Sequence, residues 1–472
     1  MLEGLGIHGR ILDIIKSLYA HDSAAVRTSQ GLSAIFRCLM GVKQGCPLSP
    51  TLFGLFVDGL EKHLVNTPGI DAPELINTLI PLLLYADDLI LMSTTEAGLQ
   101  RQLDALLSFC AERQLTVNLS KTKIVVFETR RSDCTDFIFN TKPVERVDSY
   151  RYLGFTFHAT KSLTYGAGQL VSAAKKAVHA MRRRCAQLHI TDPALQCKLF
   201  NSLVLPILSY ACEVWAVDQK ASLAAEKLHR QFLKQLIHIR KSTASEIVLA
   251  EFGRYPLQIH FWQQVLRYHN RVLKLDNSRL VKIAFSEGAV YVDGRVIELR
   301  AQGWRPNFTG LLTTQPGDPS VFQKLDVTAV IERQKEAYLS AFFNNEALST
   351  LVLYRSLQPE YRYAHYLSAV QCFPNRRLIS RFRCGCHGLH VDTGRFVNTP
   401  RDDRVCEVCK SGCVENEHHF LFDCPAYTHI RYSHATLFHG TQTVSSVINS
   451  DNPCLLGRYL RQCFEHRQCV LD

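Results

Sequence analysis

Acidic residues are in deficit in this chain, and long apolar runs are missing. Lys and Arg number 54 against 43 Asp and Glu, a formal charge of +11 at pH 7. A basic surplus suits a polyanionic partner, although charge alone speaks only to solubility and non-specific binding. No run of about 18 apolar residues occurs, so no membrane-spanning helix is expected. The amino terminus lacks a signal-peptide pattern, so secretion is not expected either. There is no internal repeat and no low-complexity tract. A hydrophobic share of 46% with 21% charged residues excludes a disordered chain. With 472 residues there is material for two or three cores. The 17 cysteines are odd in number and scattered, which reads as reduced thiols of a cytosolic or nuclear protein, some of them holding metal.

What is present is more specific. Leu82-Leu83-Leu84-Tyr85-Ala86-Asp87-Asp88-Leu89-Ile90-Leu91 sets two carboxylates between two short apolar runs. Asp is common in turns, so an ordinary hairpin would also use one. Two adjacent acids at the junction of apolar strands are rarer, because a buried charge is costly unless paired or bound to a cation. A strand-turn-strand tipped by Asp-Asp suits a hard divalent ion held against a phosphate.

Three further stretches stand in order around it. Gly41-Val42-Lys43-Gln44-Gly45-Cys46-Pro47-Leu48-Ser49-Pro50 precedes it, and Leu115-Thr116-Val117-Asn118-Leu119-Ser120-Lys121-Thr122-Lys123 and Tyr152-Leu153-Gly154 follow. The ordered set resembles the palm of reverse transcriptases, most closely those of non-LTR (LINE-type) retrotransposons. The Gln-Gly-Cys-Pro-Leu-Ser-Pro run is similar to that family's motif B. Tyr-Ala-Asp-Asp is similar to motif C, Asn-x-x-Lys-Thr to motif D and Tyr-Leu-Gly to motif E.

Periodicity supplies the frame. Ile11, Ile14, Ile15 and Leu18 predict a helix over 9–20, and the Gly- and Pro-containing loop at 41–50 leads into a second helix near Pro50. Thr94 or Thr95 is positioned to cap a helix with Leu99, Leu103, Leu106, Leu107 and Cys110 on one face. Val117–Leu119 and Lys123–Phe127 read as strands. The expected fold class is α+β over the first part, then mostly helical. Gln169–Ala186 is a basic helix carrying Lys175, Lys176, Arg182, Arg183 and Arg184, and Leu223–Arg240 repeats the theme with Lys227, Arg230 and Lys234. These eight residues are the expected nucleic-acid contacts, with a merely solvated face as the alternative. Leu195–Val217 between them is apolar. Asp293-Gly294 marks a short hairpin within 290–297, residues 303–320 read as a linker, and a helix is expected over 328–345.

The carboxy-terminal part carries Cys406-Glu407-Val408-Cys409, then His418, His419 and Cys424. Cys-x2-Cys followed by His-x4-Cys is a strong zinc spacing, since one knuckle supplies two of four tetrahedral ligands. Cys413 could compete as a ligand. The segment also resembles the CCHC knuckle of LINE-type proteins, and that match implies Cys406, Cys409, His419 and Cys424 as ligands with His418 a neighbour. Cys384, Cys386 and His387 read as structural.

The resemblance implies the remaining roles. Asp87 and Asp88 would hold Mg2+ and, with Lys121, form the catalytic set, with Lys123 as the alternative lysine. Gln44, Gly45, Tyr85 and Ala86 would face template and nucleotide, and Tyr152, Leu153 and Gly154 would grip the primer. RNA template, DNA primer or target and deoxynucleotides are the implied partners, in a nuclear or cytoplasmic ribonucleoprotein. The expected layout is a partial palm at 1–158, a helical thumb-like region at 159–345, and a carboxy-terminal region at 346–472 with a small CCHC zinc knuckle at about 404–427. The family's motif A aspartate, on a strand before motif B, has no counterpart here. The expectation is therefore a polymerase truncated before motif A and inactive alone, with a non-catalytic nucleic-acid-binding protein or a retrotransposon relic as the rival.

Overall fold

The computed structural model describes residues 2–128, 136–217, 219–286, 289–292, 295–299, 323–344, 354–440 and 443–472. Two units result, Met1–Asp148 and Ser149–Asp472.

In the first unit the predicted helix forms as α1 (Gly9–Ala20), but only its Leu12 is buried. Ile11, at 65% exposed, Ile14 and Leu18 keep their apolar sides in solvent. A ribbon of short antiparallel pairs follows, β1 (Ser23–Ala24) with β4 (Phe36–Arg37) and β2 (Arg27–Thr28) with β3 (Gly31–Leu32). Helix α2 (Ser49–Val57) starts with Pro50 in its first turn, where a missing N–H costs nothing. Helix α3 (Leu60–Val65) packs on α4 (Glu96–Glu112). Thr95 caps α4 by accepting the Gly98 N–H at 3.1 Å. Leu60, Leu64, Leu103, Leu106, Phe109, Phe137, Phe139 and Val144 form this unit's core. The hairpins β5–β6 (Glu74–Leu75, Thr78–Leu79) and β9–β10 (Ile138–Phe139, Lys142–Pro143) complete it.

Strands expected at Val117–Leu119 and Lys123–Phe127 do not form. The Asn118 carboxamide oxygen accepts the Ser120 N–H and hydroxyl, turning the chain back, and an isolated parallel bridge joins Ile124 to Arg146.

The second unit opens with the hairpin β11 (Ser149–Tyr152) and β12 (Phe155–His158). Helix α5 (Leu163–Gln187) is capped by Ser162, and α6 (Pro193–Leu203) by Asp192, which accepts the N–H groups of Ala194 and Leu195. Then come α7 (Leu205–Leu208), α8 (Cys212–Trp215), α9 (Gln219–Leu236), α10 (Ser245–Glu251), α11 (Leu257–Leu273) and α12 (Leu280–Ser286). The predicted hairpin forms from β13 (Ala289–Val292) and β14 (Arg295–Leu299). Its Asp293-Gly294 turn and the linker at 303–320 lie outside the described residues. Helices α13 (Val327–Asn344), α14 (Phe373–Arg383) and α15 (Pro453–Leu471) follow.

One large core draws on residues from Phe155 to Cys463, and a small separate cluster of Ile259, Val265, Leu266 and Ile331 lies between α11 and α13. Phe200, Trp215 and Phe232 share the large core with Tyr354, Phe382, Phe420 and Leu460. A division at 345/346 therefore does not separate two cores, and the first boundary falls ten residues before the expected 158/159, so that β11–β12 belongs with the helices. A buried ion pair joins distant segments. Arg383 Nε donates to Glu251 Oε1 at 2.7 Å, Tyr354 donates to Glu251 Oε2 at 2.6 Å, and Arg383 Nη1 reaches Asn449 Oδ1 at 2.8 Å. No described helix is long and apolar enough to cross a membrane.

Candidate functional site

The acid pair sits where the sequence puts it. Strands β7 (Leu82–Tyr85) and β8 (Asp88–Leu91) pair Tyr85 with Asp88 and Leu82 with Leu91. Leu82, Leu89 and Leu91 lean on the first unit's core and anchor the hairpin's base. Ala86 and Asp87 form the turn, with Ala86 in the left-handed region at φ 54°. That conformation costs an L-residue about 1 kcal/mol. The strained turn leaves Tyr85, Ala86, Asp87 and Asp88 exposed at the tip. Adjacent hard oxygens at a fixed tip suit Mg2+. Among the described residues no third acid, histidine or cysteine gathers with them.

The loop at 41–50 is tied down by its neighbours. Ser49 donates to the Lys43 carbonyl at 2.7 Å, Tyr19 Oη meets Ser49 Oγ at 3.1 Å, and Lys43 pairs with Asp22 at 3.3 Å. Gln44 and Gly45 stay exposed, and Gly45 takes φ 84°, which favours glycine. Backbone hydrogen bonding from Leu48, ahead of Ser49 and Tyr19, lowers the Cys46 thiol's pKa. Lys121 is exposed on the turn that Asn118 builds, whereas Lys123 pairs with Glu145 at 2.5 Å.

In the second unit, Leu153 (φ 44°) and Gly154 (φ 85°) make the tight β11–β12 turn after Tyr152. Tyr210, from the apolar stretch Leu195–Val217, locks this turn. Its hydroxyl donates to the Leu153 carbonyl, and a Cβ on Gly154 would lie 3.0 Å from the Tyr210 ring. The Tyr210 carbonyl in turn accepts the indole N–H of buried Trp215 at 2.8 Å.

The eight basic positions divide. Lys175, Lys176, Arg183, Arg184 and Lys227 are exposed on α5 and α9. Arg182 reaches Gln235, Arg230 pairs with Glu226 at 2.6 Å, and Lys234 Nζ donates to the carbonyls of Lys241 and Thr243. Burial lowers the Lys234 pKa. Arg230 and Lys234 are committed to these partners, whereas Arg182 spends one donor on the Gln235 amide oxygen and keeps the rest of its guanidinium, so only part of each basic helix offers free charge.

Cys406, Cys409, His419 and Cys424 bring one ligand atom each within 4.8 Å of one another. Cys409 Sγ lies 3.4 Å from His419 Nε2, and Cys406 Sγ 4.0 Å from Cys424 Sγ. A zinc tetrahedron with ordinary bond lengths has edges of about 3.5–3.8 Å, so the donor set fits. Burial pushes Cys406 up to about 12. Burial also opposes ionisation of Cys409, but hydrogen bonds led by Ser411 hold it at about 6. His418 points away to Asp423, at 2.9 Å, and exposed Cys413 contributes its carbonyl to the Cys406 N–H instead of its sulfur to the cluster. Buried Glu415, missed from the sequence, lies 3.7 Å from Cys406 Sγ and accepts from His390 N and Arg467 Nη2.

Phe420 and Tyr427 are fully buried in the second unit's core, so neither ring is open to a nucleic-acid base. The cluster packs into that core as well, since Cys406, Val408, Phe420, Leu421 and Cys424 all belong to it. Cys384, Cys386 and His387 are buried, as a structural role requires.

Residues 4–157 match the family Reverse transcriptase (RNA-dependent DNA polymerase). That stretch contains the acid hairpin, the loop before it, the lysine turn and the Tyr-Leu-Gly turn, and it is a reverse transcriptase domain. The chain is 28% identical over 263 residues to the "Retrovirus-related Pol polyprotein from type-1 retrotransposable element R2" of Popillia japonica, covering 53% of this chain and 35% of the relative. It is 24% identical to the "RNA-directed DNA polymerase from mobile element jockey" of Drosophila melanogaster, over 44% of this chain and 23% of the relative. It is 30% identical to the "Retrovirus-related Pol polyprotein from type-2 retrotransposable element R2DM" of the same fly, over 34% of this chain and 16% of the relative. The matched domain and these similarities together support a reverse transcriptase of the non-LTR (LINE) type. It spans about a third or less of the length of these relatives.

Proposed function

We propose that this chain serves RNA-templated DNA synthesis, with the first unit as part of a polymerase palm and the helices from α5 onward as a thumb. The observation that carries this is the exposed Asp87-Asp88 tip inside the matched domain. The two carboxylates would hold Mg2+. Mg2+ held there would supply Lewis acidity toward a primer 3′ hydroxyl and positive charge for a leaving pyrophosphate. Gln44 and Gly45, on a braced loop, would meet template and nucleotide beside Tyr85 and Ala86. Lys121 would hold a proton near the leaving group. Tyr152, Leu153 and Gly154, stiffened by Tyr210, would position the primer end. Lys175, Lys176, Arg183, Arg184 and Lys227 would contact phosphates of RNA or DNA, and the four-residue Cys/His cluster would hold Zn2+. A nuclear or cytoplasmic ribonucleoprotein is the setting that fits these partners.

A second reading is a non-catalytic nucleic-acid-binding chain. It is favoured by the two acids lacking a third partner among the described residues, while the basic helices and the Cys/His cluster share a built core. Two-metal sites need carboxylates at several fixed positions. The 472-residue chain on its own is accordingly expected to make no DNA on a primed RNA template with Mg2+ or Mn2+. Extension that Asp87→Asn abolishes would establish polymerase activity in this chain and remove the second reading.

A further inference from the structure

We propose that the surface where α5 and the end of α9 meet α14 is a second phosphodiester-backbone site, built by Arg377 and Arg381 of α14 with Arg182 of α5 around His238. The proposal rests on the nucleic-acid reading above and extends it to a segment nearly 200 residues beyond the basic helix. Phe373, Arg377 and Arg381 recur every four residues along α14, so they share one face. That face meets His238. The Phe373 ring packs edge-on against its imidazole, with centroids 4.7 Å apart, and Arg381 Nε donates to its carbonyl at 3.3 Å. Arg182 crosses from α5 to Gln235, on the last turn of α9 just before His238. His238 itself, at φ 51°, ends that helix and is exposed.

The charge pattern is one-sided. After burial, the groups that lower the His238 pKa are Arg182, Arg377, Arg381 and Arg376, from α5 and α14, and all four are cations. Arg376 has internal acceptors in the carbonyls of Val370 and Thr191. Arg377 does not: its Nε is buried without a hydrogen-bond partner. Converging guanidiniums lack an anion, and a phosphodiester supplies negative charge and a pair of non-bridging oxygens that match a guanidinium fork. A single free phosphate would fill only one end. The exposed Lys175, seven residues before Arg182 and on the same face of α5, continues the positive surface, and the two span about 10 Å at 1.5 Å per residue, more than one phosphate needs.

The test is a salt series of single-stranded RNA binding by the full zinc-loaded chain. Replacing both residues, Arg377→Gln with Arg381→Gln, is expected to flatten the log–log salt slope by about 1.4, at about 0.7 per phosphate contact. Arg377→Lys with Arg381→Lys is expected to keep the slope, and circular dichroism and zinc content check that both variants fold. Bound phosphate would raise the His238 pKa from its lowered position, so wild-type affinity should rise as pH falls from neutrality through 6.5, and His238→Asn should lose that rise. Orthophosphate at matched ionic strength should not displace the RNA. An unchanged slope in the double Gln variant overturns the proposal while leaving the nucleic-acid reading intact. Displacement by orthophosphate overturns it in favour of a free-phosphate site. A wild-type chain that binds no RNA overturns both.

Discussion

Arg254 donates from Nε to Nε2 of His229 at 3.1 Å, so that nitrogen carries no proton and the neutral ring bears its hydrogen on Nδ1, 3.7 Å from Glu226 Oε2. The ring is fully buried, and burial pushes its pKa below 6.5. A second proton would face the Arg254 donor. The unfolded chain binds that proton more readily, so the stability that depends on neutral His229 is intact above about pH 6.5 and is lost as pH falls from there towards the folded value. His260, also lowered by burial, acts in the same direction. Urea midpoints measured from pH 7.5 down to 5 should fall, and His229→Gln should fall less steeply, though from a lower starting point. A wild-type midpoint indifferent to pH across this range would contradict the assignment.

At the level of elements, the Cys/His cluster makes the sharpest prediction. One zinc per chain is expected by metal analysis. Cys406→Ser or Cys424→Ser should abolish it, whereas Cys413→Ser and His418→Ala should retain it, because those side chains point elsewhere. Zinc retained in full after both Cys406→Ser and Cys424→Ser would sink the site. Spacing made this cluster legible, since Cys-x2-Cys and His-x4-Cys are local patterns. The hairpin at Asp87, the cap at Thr95 and the helix start near Pro50 were legible for the same reason. Long-range pairing was not. Nothing near Lys234 announces that its ammonium will seek the carbonyls of Lys241 and Thr243, and nothing near Phe420 says that α15 will cover it. Amphipathic spacing marked the helix α1 but not its surroundings, since no described residue buries Ile11 or Ile14.

For the whole molecule, the Glu251–Arg383 pair is the place to cut. The partners are 132 residues apart in sequence and nearly inaccessible to water. Arg383→Met would leave the Glu251 charge buried without its partner, at a cost of about 3–5 kcal/mol. Because one core runs from Phe155 to Cys463, that loss should be felt at both ends of the second unit together. Trp215 fluorescence and zinc release should show coincident urea transitions, both shifted to lower urea in the variant. Zinc release that keeps its wild-type midpoint while the fluorescence transition moves would mean that the helices and the cluster fold separately.

The same shared core has a consequence for biosynthesis. A chain leaves the ribosome from its amino terminus, and domains generally fold as they are completed. The first unit has every residue of its core in hand once Val144 has emerged. The second cannot close until Leu456, Leu460 and Cys463 arrive, long after Phe155 has emerged. Through most of that interval α5 to α11 stand with their apolar faces uncovered, which makes them clients for chaperones. A premature stop anywhere before α15 would release helices that have no lid, whatever the length of sequence already made.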